Sequence, residues 1–280
     1  MNDNQLRSFI INALAEDTGD GDHSSLASVP ATSTGRARLI IKERGIISGL
    51  RVAREVFSIT DPSLLVEILL SDGDRVQYGD IALTVAGKAQ SILRAERLVL
   101  NIMQRMSGIA TSTALYTEKI SDTHSKITDT RKTTPGMRAL EKEAVRTGGG
   151  VNHRMGLYDM IMLKDNHIDY AGGIASAIRG TKKYLREKRL DLRIEVEARN
   201  LKEVREILEA GDVDRIMLDN FSTADTKEAV ALIAGRTETE SSGGITLENV
   251  RDYALCGVDY ISIGALTHHI KSLDMSLKAY

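Results

Sequence analysis

Cysteines and long apolar runs are both scarce in this sequence, and each shortage excludes a class of protein. Cys256 is the only cysteine among the 280 residues, so neither an internal disulfide nor a metal site built from several cysteines can form. No stretch approaches the roughly 20 consecutive apolar residues that a membrane-spanning helix requires. Residues 1–19 carry Asp3, Glu16 and Asp17, which does not fit a secretory signal. We therefore expect a cytoplasmic protein.

The sequence also lacks a large excess of charge of either sign. Its formal net charge is −2, which argues against bulk attraction to nucleic acid or to anionic lipid. Hydrophobic residues make up 42% of the chain and charged residues 27%, which is the balance of an ordinary globular protein. An anionic ligand would therefore need a local cluster of basic side chains.

The first third of the chain is typical of an α+β module. Apolar residues at helical spacing predict a helix at the N-terminus, and short strands are predicted at residues 38–42, 64–70 and 81–85. Residues 91–117 lack proline and again have apolar residues at helical spacing, which predicts one or two helices. Gly108 is the expected break between two helices.

After Lys126, short β-rich segments alternate with helix-like segments, which predicts a parallel α/β sheet. The predicted strands are residues 126–129, 160–163, 192–196, 215–218 and 260–263. So few units cannot make a complete eight-unit barrel, and we expect a smaller, open barrel. A doubly wound sheet remains the alternative, because periodicity does not report whether a sheet closes.

Polar residues that are unusual for a core follow these strands. In strand order they are Asp129, Arg131 and Lys132, then residues 164–167, then Glu197, then Asp219 and Asn220. Ligands of parallel α/β folds bind beyond the carboxyl ends of the strands. Any one of these residues could simply lie in a solvated loop, but their recurrence after successive strands indicates a site.

Two segments combine cations with groups that suit an oxyanion. Residues 129–136 place Arg131 and Lys132 beside hydroxyl groups, and residues 148–154 place Arg154 beside His153. Arginine can bind a carboxylate or phosphate through two parallel hydrogen bonds, while lysine offers a compact charge. The glycine triplet 148–150 taken alone is better explained as a flexible turn.

These segments and several others resemble the quinolinate phosphoribosyltransferase family. The resemblance is collinear from about Glu16 to Ser276. The matching segments are DGDRVQYGD (72–80), NIMQRMSGIAT (101–111), DTRKTTPGMR (129–138), GGGVNHRMGLYD (148–159), LKDNH (163–167), LDNF (218–221), SSGGI (241–245) and GVDYISIGALTHH (257–269).

The resemblance implies an α/β protein of two domains. An N-terminal α/β sandwich would span residues 1–110, and an open, seven-stranded α/β barrel would span residues 111–269, with residues from about 270 to 280 returning to the first domain. The implied enzyme transfers phosphoribosyl from phosphoribosyl pyrophosphate to quinolinate. It releases carbon dioxide and pyrophosphate and gives nicotinate mononucleotide for NAD biosynthesis.

The resemblance also implies which residues bind quinolinate, a pyridine with two adjacent carboxylates. The family pattern supplies Arg105, Arg131, Arg154 and Lys164, with His153 alongside. For two of these residues a structural alternative stays open. Arg105 could be an exposed helix arginine, and His153 could be a structural hydrogen-bond donor.

For phosphoribosyl pyrophosphate, the family pattern supplies Lys132, Glu197 and Asp219. Mg²⁺ is expected near the two carboxylates, held directly or through substrate or water. Backbone N–H groups of late barrel loops bind phosphate, which suits the glycines of this set. The remaining implied residues are Ser242, Gly243, Gly244, Gly264 and His268.

The resemblance further implies a homodimer in which Arg105 reaches into the partner's barrel.

Two other functions stay open. A homologue associated with molybdenum transport would depart around the substrate motifs, whereas Asn152, Lys164 and Asn166 fit the quinolinate pattern. A noncatalytic protein that binds a phosphate ligand on an α/β barrel is the second alternative, and an assay of turnover separates it from an enzyme.

Overall fold

Helices and strands alternate along the chain, and the computed structural model describes residues 1–280. The first helix begins at Asn2, whose side chain and that of Gln5 each accept a hydrogen bond from the other's backbone N–H. In chain order the elements are α1 (Asp3–Thr18), α2 (His23–Ser28), β1 (Thr34–Ile41), β2 (Gly45–Ile46), α3 (Leu50–Thr60), β3 (Leu65–Ile68), β4 (Arg75–Val76), β5 (Ile81–Lys88), α4 (Ala89–Lys119), β6 (Lys126–Thr128), α5 (Arg138–Thr147), β7 (Ile161–Leu163), α6 (Asp165–Tyr170), α7 (Ile174–Lys188), β8 (Ile194–Ala198), α8 (Leu201–Ala210), β9 (Arg215–Asp219), α9 (Thr223–Ile233), β10 (Glu238–Ser242), α10 (Val250–Leu255), β11 (Tyr260–Ser262), α11 (Ala265–His268) and β12 (Met275–Ala279).

The first of two units is built on an antiparallel sheet with the strand order β12-β1-β5-β3. Leu39 of β1 is fully buried and lies opposite both Leu83 of β5 and Leu277 of β12. The pairing of β12 with β1 is the return of the C-terminal residues that the resemblance implies. The unit comprises residues 1–114, 133–149 and 266–280, so it includes a segment, 133–149, that the expected barrel range contains.

Two helices of this unit differ from the expectation. Helix α4 is continuous over 31 residues, so the expected break at Gly108 is wrong. The glycine is required by packing instead, because a Cβ there would lie 2.3 Å from the carbonyl oxygen of Lys271. Helix α3 was not predicted, although Leu50, Ala53 and Phe57 are buried at helical spacing. None of the helices has the length and apolar composition needed to cross a membrane.

The second unit, residues 115–132 and 150–265, is built on a parallel sheet with the strand order β6-β11-β10-β9-β8-β7. From β7 to β11 each strand pairs with the next in sequence, whereas a doubly wound sheet reverses its strand order. Val151 forms a single parallel bridge with Thr128 of β6 and stands where a seventh strand would lie. No strand pairing joins Val151 to β7, so the barrel is open at that point.

Strand β10 was missed because its five residues, ETESS, include no apolar side chain. Thr239, Glu240 and Ser241 are nevertheless buried. Strand β8 is also buried along its length although it contains Glu195 and Glu197. Carboxylates are rarely buried unless they have partners, so acidic residues buried in the two strands on either side of β9 indicate a polar site in the barrel.

Candidate active site

The carboxyl ends of the parallel strands surround a cavity of about 480 Å³. Its wall includes Met162 of β7 and Met217 of β9. Of the site residues expected from the sequence, those that line the cavity are Arg131, Lys132, His153, Arg154, Lys164, Glu197, Asp219 and Ser242. The polar residues that follow successive strands therefore meet at one place.

Asp129, directly after β6, organises the loop that carries His153 and Arg154. Its side chain is fully buried. Oδ1 accepts a hydrogen bond from the backbone N–H of His153 at 2.9 Å, and Oδ2 accepts one from the side-chain amide of Asn152 at 2.6 Å. A buried carboxylate needs such donors, so Asp129 fixes this loop against the end of β6. It was not among the expected ligands, and its contacts are those of a positioning residue.

Arg154 lies buried in the cavity wall, with its Nη1 donating to the carbonyl oxygen of Met160 at 3.2 Å. Burial lowers the pKa of Arg154, and the positive charge of Arg131 lowers it further. Both effects disfavour the charged guanidinium, and the charge of an entering anion would offset both. A ligand that carries carboxylates is therefore favoured beside this pair of arginines.

Lys164 and Glu197 form an ion pair at the ends of the neighbouring strands β7 and β8. Lys164 Nζ lies 2.5 Å from Glu197 Oε1, and the exposed fractions of the two side chains are 45% and 10%. The sequence assigned Lys164 to quinolinate and Glu197 to the ribose and metal. Because the lysine is the more exposed partner, it can turn toward a ligand with less rearrangement than the glutamate.

Both ring nitrogens of His153 are engaged by the protein. Nδ1 accepts a hydrogen bond from the backbone N–H of Arg154, and Nε2 lies against Glu195 Oε2, each at 2.8 Å. Since Nδ1 acts as an acceptor, the ring proton resides on Nε2 and the imidazole is neutral. This geometry favours the structural alternative for His153 over direct contact with substrate.

Beneath His153 lie two buried carboxyl groups, those of Glu195 and Glu240, that the sequence did not single out. Burial raises the pKa of Glu195 to about 7. Burial, together with repulsion from Glu195, raises the pKa of Glu240 to about 7. Arg215 Nη1 donates to Glu240 Oε2 at 2.7 Å, so one guanidinium faces two carboxyls.

The atoms of this cluster are also close enough to hold a metal ion. One ligand atom each of His153, Glu195 and Glu240 lies within 4.8 Å of the other two. The guanidinium of Arg215 already supplies the positive charge there, and Nε2 of His153 carries a proton. The cluster is therefore better described as a proton-holding polar core than as a metal centre. Its only sequence signal is the presence of acidic residues inside predicted or missed strands.

Asp219 fits Mg²⁺ better than Glu197 does. Asp219 ends β9 at the cavity, where its Oδ2 accepts a single hydrogen bond, from the Asn220 side chain at 2.9 Å. Glu197 is already paired with Lys164. Magnesium is commonly held by one or two carboxylates together with substrate phosphates, and Asp219 has the freer carboxylate of the two.

The backbone conformation after β10 requires glycine at positions 243 and 244, and a close neighbour also excludes a side chain at position 243. Gly243 has φ +94° and Gly244 has φ +61°, values that L side chains rarely adopt. A Cβ at Gly243 would lie 2.1 Å from Asn220 Oδ1. The loop after β10 therefore packs against the loop after β9 with its backbone exposed, as a phosphate-binding loop requires. Gly264 follows β11 at the same end of the sheet.

Arg105 and His268 belong to the first unit. Arg105 lies on α4, where its Nε donates to Glu141 Oε1 at 2.8 Å, and its Nη2 donates to Thr134 Oγ1 at 2.7 Å and to the Thr267 carbonyl oxygen at 2.9 Å. His268 is exposed at the end of α11. The structure thus gives Arg105 a defined environment rather than that of an exposed helix arginine.

Two family models match the chain: quinolinate phosphoribosyl transferase, N-terminal domain, at residues 22–107, and its C-terminal domain at residues 109–278. Quinolinate phosphoribosyltransferase (decarboxylating) 1b of Nicotiana tabacum is 47% identical, over 98% of this chain and 82% of that protein. The probable nicotinate-nucleotide pyrophosphorylase (carboxylating) of Bacillus subtilis is 42% identical, over 99% and 94%. The structure of NadC from Streptococcus pyogenes superposes with a TM-score of 0.94 at 41% identity, covering 99% of this chain and 97% of that one. The chain therefore belongs to the quinolinate phosphoribosyl transferase family.

Proposed function

We propose that this protein transfers phosphoribosyl from phosphoribosyl pyrophosphate to quinolinate, giving nicotinate mononucleotide, pyrophosphate and carbon dioxide. The observation that carries the proposal is the cavity where Arg131, Lys132, Arg154 and Lys164 converge with Asp219. A dicarboxylate and a polyphosphate both require several fixed cations. The relatives described above have enzyme names, which favours catalysis over a molybdenum-associated or noncatalytic protein.

Quinolinate is assigned to the buried end of the cation cluster. Arg131 and Arg154 would bind its carboxylates, because an anion would offset the burial and the repulsion from Arg131 that lower the pKa of Arg154. Lys164 would exchange its bond to Glu197 for one to the substrate. His153 would act through its hydrogen bond to the Arg154 backbone.

Phosphoribosyl pyrophosphate is assigned to Lys132, Asp219 and Glu197 and to the glycine loops. The 5′-phosphate would meet the backbone of Ser242, Gly243 and Gly244 and that of Gly264, with His268 as a further expected contact. Asp219 would hold Mg²⁺, with Glu197 as the second expected ligand, and the ion would supply positive charge for the pyrophosphate. A turnover titration with Mg²⁺, in wild type and in Asp219→Asn, tests this assignment, since the variant should need more Mg²⁺ for half-maximal rate.

The reaction proposed is displacement at the anomeric carbon. The quinolinate nitrogen forms the new bond to that carbon while the bond to pyrophosphate breaks, through a transition state with oxocarbenium character. The residues position the two substrates and stabilise separated charge. The ring nitrogen is then positively charged and stabilises the electron pair left on the ring carbon when the neighbouring carboxylate departs as carbon dioxide. That carbon finally takes up a proton.

The active unit is proposed to be a homodimer that shares its sites. Arg105 is the only expected quinolinate ligand before residue 111, and its guanidinium is fixed by three acceptors. In the proposed dimer it serves the barrel of the partner subunit.

The cytoplasmic location stays a prediction, because plant relatives are named chloroplastic or mitochondrial, and cell fractionation tests it.

The decisive experiment is incubation of the purified protein with quinolinate, phosphoribosyl pyrophosphate and Mg²⁺, followed by mass spectrometry. We expect nicotinate mononucleotide, with loss of the carboxylate next to the ring nitrogen. Lys132→Ala should abolish the product, whereas Lys183→Ala, at an exposed lysine of α7, should not. Absence of nicotinate mononucleotide with wild-type protein would overturn the proposal.

A further inference from the structure

Glu141 on α5 is a fully buried carboxylate that no assignment above uses. Oε1 accepts a hydrogen bond from Arg105 Nε at 2.8 Å, and Arg105 Nη2 lies 2.7 Å from the same oxygen as part of the ion pair. Oε2 accepts from the backbone N–H of Thr134 at 3.2 Å. The carboxylate therefore joins α4 to the turn that precedes α5.

The orientation of Arg105 follows from these contacts. Its Nε and Nη2 are committed to Glu141, Thr134 and the Thr267 carbonyl oxygen. Its Nη1 is not among the fully buried unpaired atoms, and the side chain as a whole is 25% exposed. Nε and Nη2 are thus held within the chain, and Nη1 is left to donate to an external carboxylate.

A flexible arginine without this support would lose side-chain entropy on binding its ligand. A buried carboxylate that accepts the Nε–H and pairs with the guanidinium removes that freedom before binding. Thr134 supports the same geometry, because it donates its N–H to Glu141 and accepts from Arg105. These contacts form a closed ring of three hydrogen-bonded residues.

We propose that Glu141 is the positioning residue for Arg105 and that it acts in whichever site Arg105 serves. The proposal rests on the proposed shared site, in which Arg105 acts in the partner's barrel. Under that arrangement a lesion at Glu141 damages the site of the partner subunit and leaves intact the site built on the lesion's own barrel. A Glu141 variant is therefore identified by the second variant that restores activity in a heterodimer with it.

The test uses pairs of variants that are co-refolded, with heterodimers confirmed by tag pull-down. Glu141→Ala should lower kcat/KM for quinolinate by on the order of 100-fold, as expected for a misplaced binding group. Mixed with Lys132→Ala it should recover activity, because one site of the heterodimer collects both lesions and the other collects none. Mixed with Arg105→Ala it should not recover, because each site then carries one lesion.

Recovery also shows that the Glu141→Ala chain folds, since that chain must supply Lys132 to the intact site. If Glu141→Ala does not fold, Glu141→Gln enters the same mixtures, because its amide keeps an acceptor for Arg105 but places N–H groups against the Thr134 N–H. Glu143→Gln is the matched control. It removes a carboxylate of the same helix that pairs with Arg51 at 3.1 Å, and it should keep wild-type kcat/KM.

The opposite pattern, recovery with Arg105→Ala and none with Lys132→Ala, would place Glu141 in its own barrel's site and overturn the proposal. Full activity of Glu141→Gln and Glu141→Ala homodimers would do the same. Failure of the Arg105→Ala and Lys132→Ala mixture would instead reject the shared site. In that case the homodimer of the double variant Glu141→Gln/Arg105→Ala still tests the positioning role. Its kcat/KM for quinolinate should be no lower than that of Arg105→Ala alone.

Discussion

The Nζ of Lys164 lies 2.5 Å from Oε1 of Glu197, so a cation expected to bind one substrate and an acid expected to bind the other are direct partners. The pair joins the end of β7 to β8. Binding of quinolinate by Lys164 would release Glu197 for the ribose or the metal. Under the proposed assignments, the two substrate sites would therefore be coupled through one ion pair.

This coupling predicts non-additive kinetics. Lys164→Ala and Glu197→Ala should each lower kcat/KM by on the order of 100-fold, and the double variant should lose clearly less than the product of the two effects. The reason is that either single change already leaves its partner without the ion pair. A double-mutant cycle on kcat/KM measures the coupling. Losses that multiply would show that the two residues act independently.

Substrate selectivity follows from the paired arginines of the cavity. Nicotinate lacks the carboxylate beside the ring nitrogen, so it would leave buried positive charge near Arg131 and Arg154 without a partner. We expect kcat/KM for nicotinate to be lower than for quinolinate by at least about 100-fold. Steady-state kinetics with both acids decide this, and comparable values would contradict the assignment of the two arginines.

The buried carboxyls predict a pH dependence of stability. Folding raises the pKa of Glu240 from 4.5 to about 7, so the folded state binds a proton more tightly than the unfolded state. The contribution of this group to the free energy of unfolding is therefore full below about pH 4.5 and falls as pH rises toward 7. Glu195, His153, Arg215 and Ser262 face Glu240; the charge of Glu195 adds to the rise in its pKa, and Arg215 opposes it.

Glu240→Gln removes the ionisable group at nearly constant volume. Relative to wild type, the variant should become more stable as pH rises from 5 to 8, by up to a few kcal/mol, since one unit of pKa shift corresponds to about 1.4 kcal/mol. Denaturant unfolding at several pH values measures the difference. Glu209→Gln, at an exposed position of α8, is the control and should show no such trend. A difference independent of pH would mean that Glu240 is ionised throughout this range.

The loop after β10 predicts a specific effect on the phosphoribosyl substrate. Gly243→Ala would place a Cβ 2.1 Å from Asn220 Oδ1 at φ +94°, so the loop must shift. KM for phosphoribosyl pyrophosphate should rise by roughly tenfold or more, with binding of quinolinate retained. Gly235→Ala has a similar strain at φ +71° but nothing within 4 Å of the added Cβ. If both variants behave alike, the contact with Asn220 has no role in substrate binding.

The sequence predicted the parts of this structure that depend on local pattern. Alternation of strand and helix after Lys126 indicated the open barrel, and polar residues at strand ends located the cavity. Strand β10 was invisible because hydrophobicity is the main strand signal and ETESS has none. Gly108 resembled a helix break because close packing against Lys271 depends on residues far away in the chain.

The buried polar core was missed for a related reason. Glu195 and Glu240 are stabilised by Arg215 and His153, which come from other strands and loops. No spacing rule in a single sequence connects them. The same holds for Glu141 and Arg105, which are 36 positions apart. Sequence reasoning found residues that line the cavity, whereas the buried residues that contact them, or that contact Arg105, required the three-dimensional structure.

The last prediction concerns the sharing of the site between subunits. Arg105→Ala and Lys132→Ala should each be nearly inactive as homodimers, because either change damages both sites. In a heterodimer of the two, one site collects both lesions and the other collects none. With free exchange about half of the dimers are mixed, so the mixture should recover roughly a quarter of wild-type activity under the two-site model.

The measurement is the quinolinate-dependent rate of the co-refolded mixture, normalised to the fraction of heterodimer found by tag pull-down. A mixture of Arg105→Ala with untagged Arg105→Ala serves as the control for refolding and should stay inactive, since every site lacks the arginine. The recovered rate should scale in proportion to the heterodimer fraction, because each mixed dimer contributes one intact site. Confirmed heterodimers without recovered activity would place Arg105 in the site of its own subunit or outside any site, and the shared-site proposal would then be abandoned.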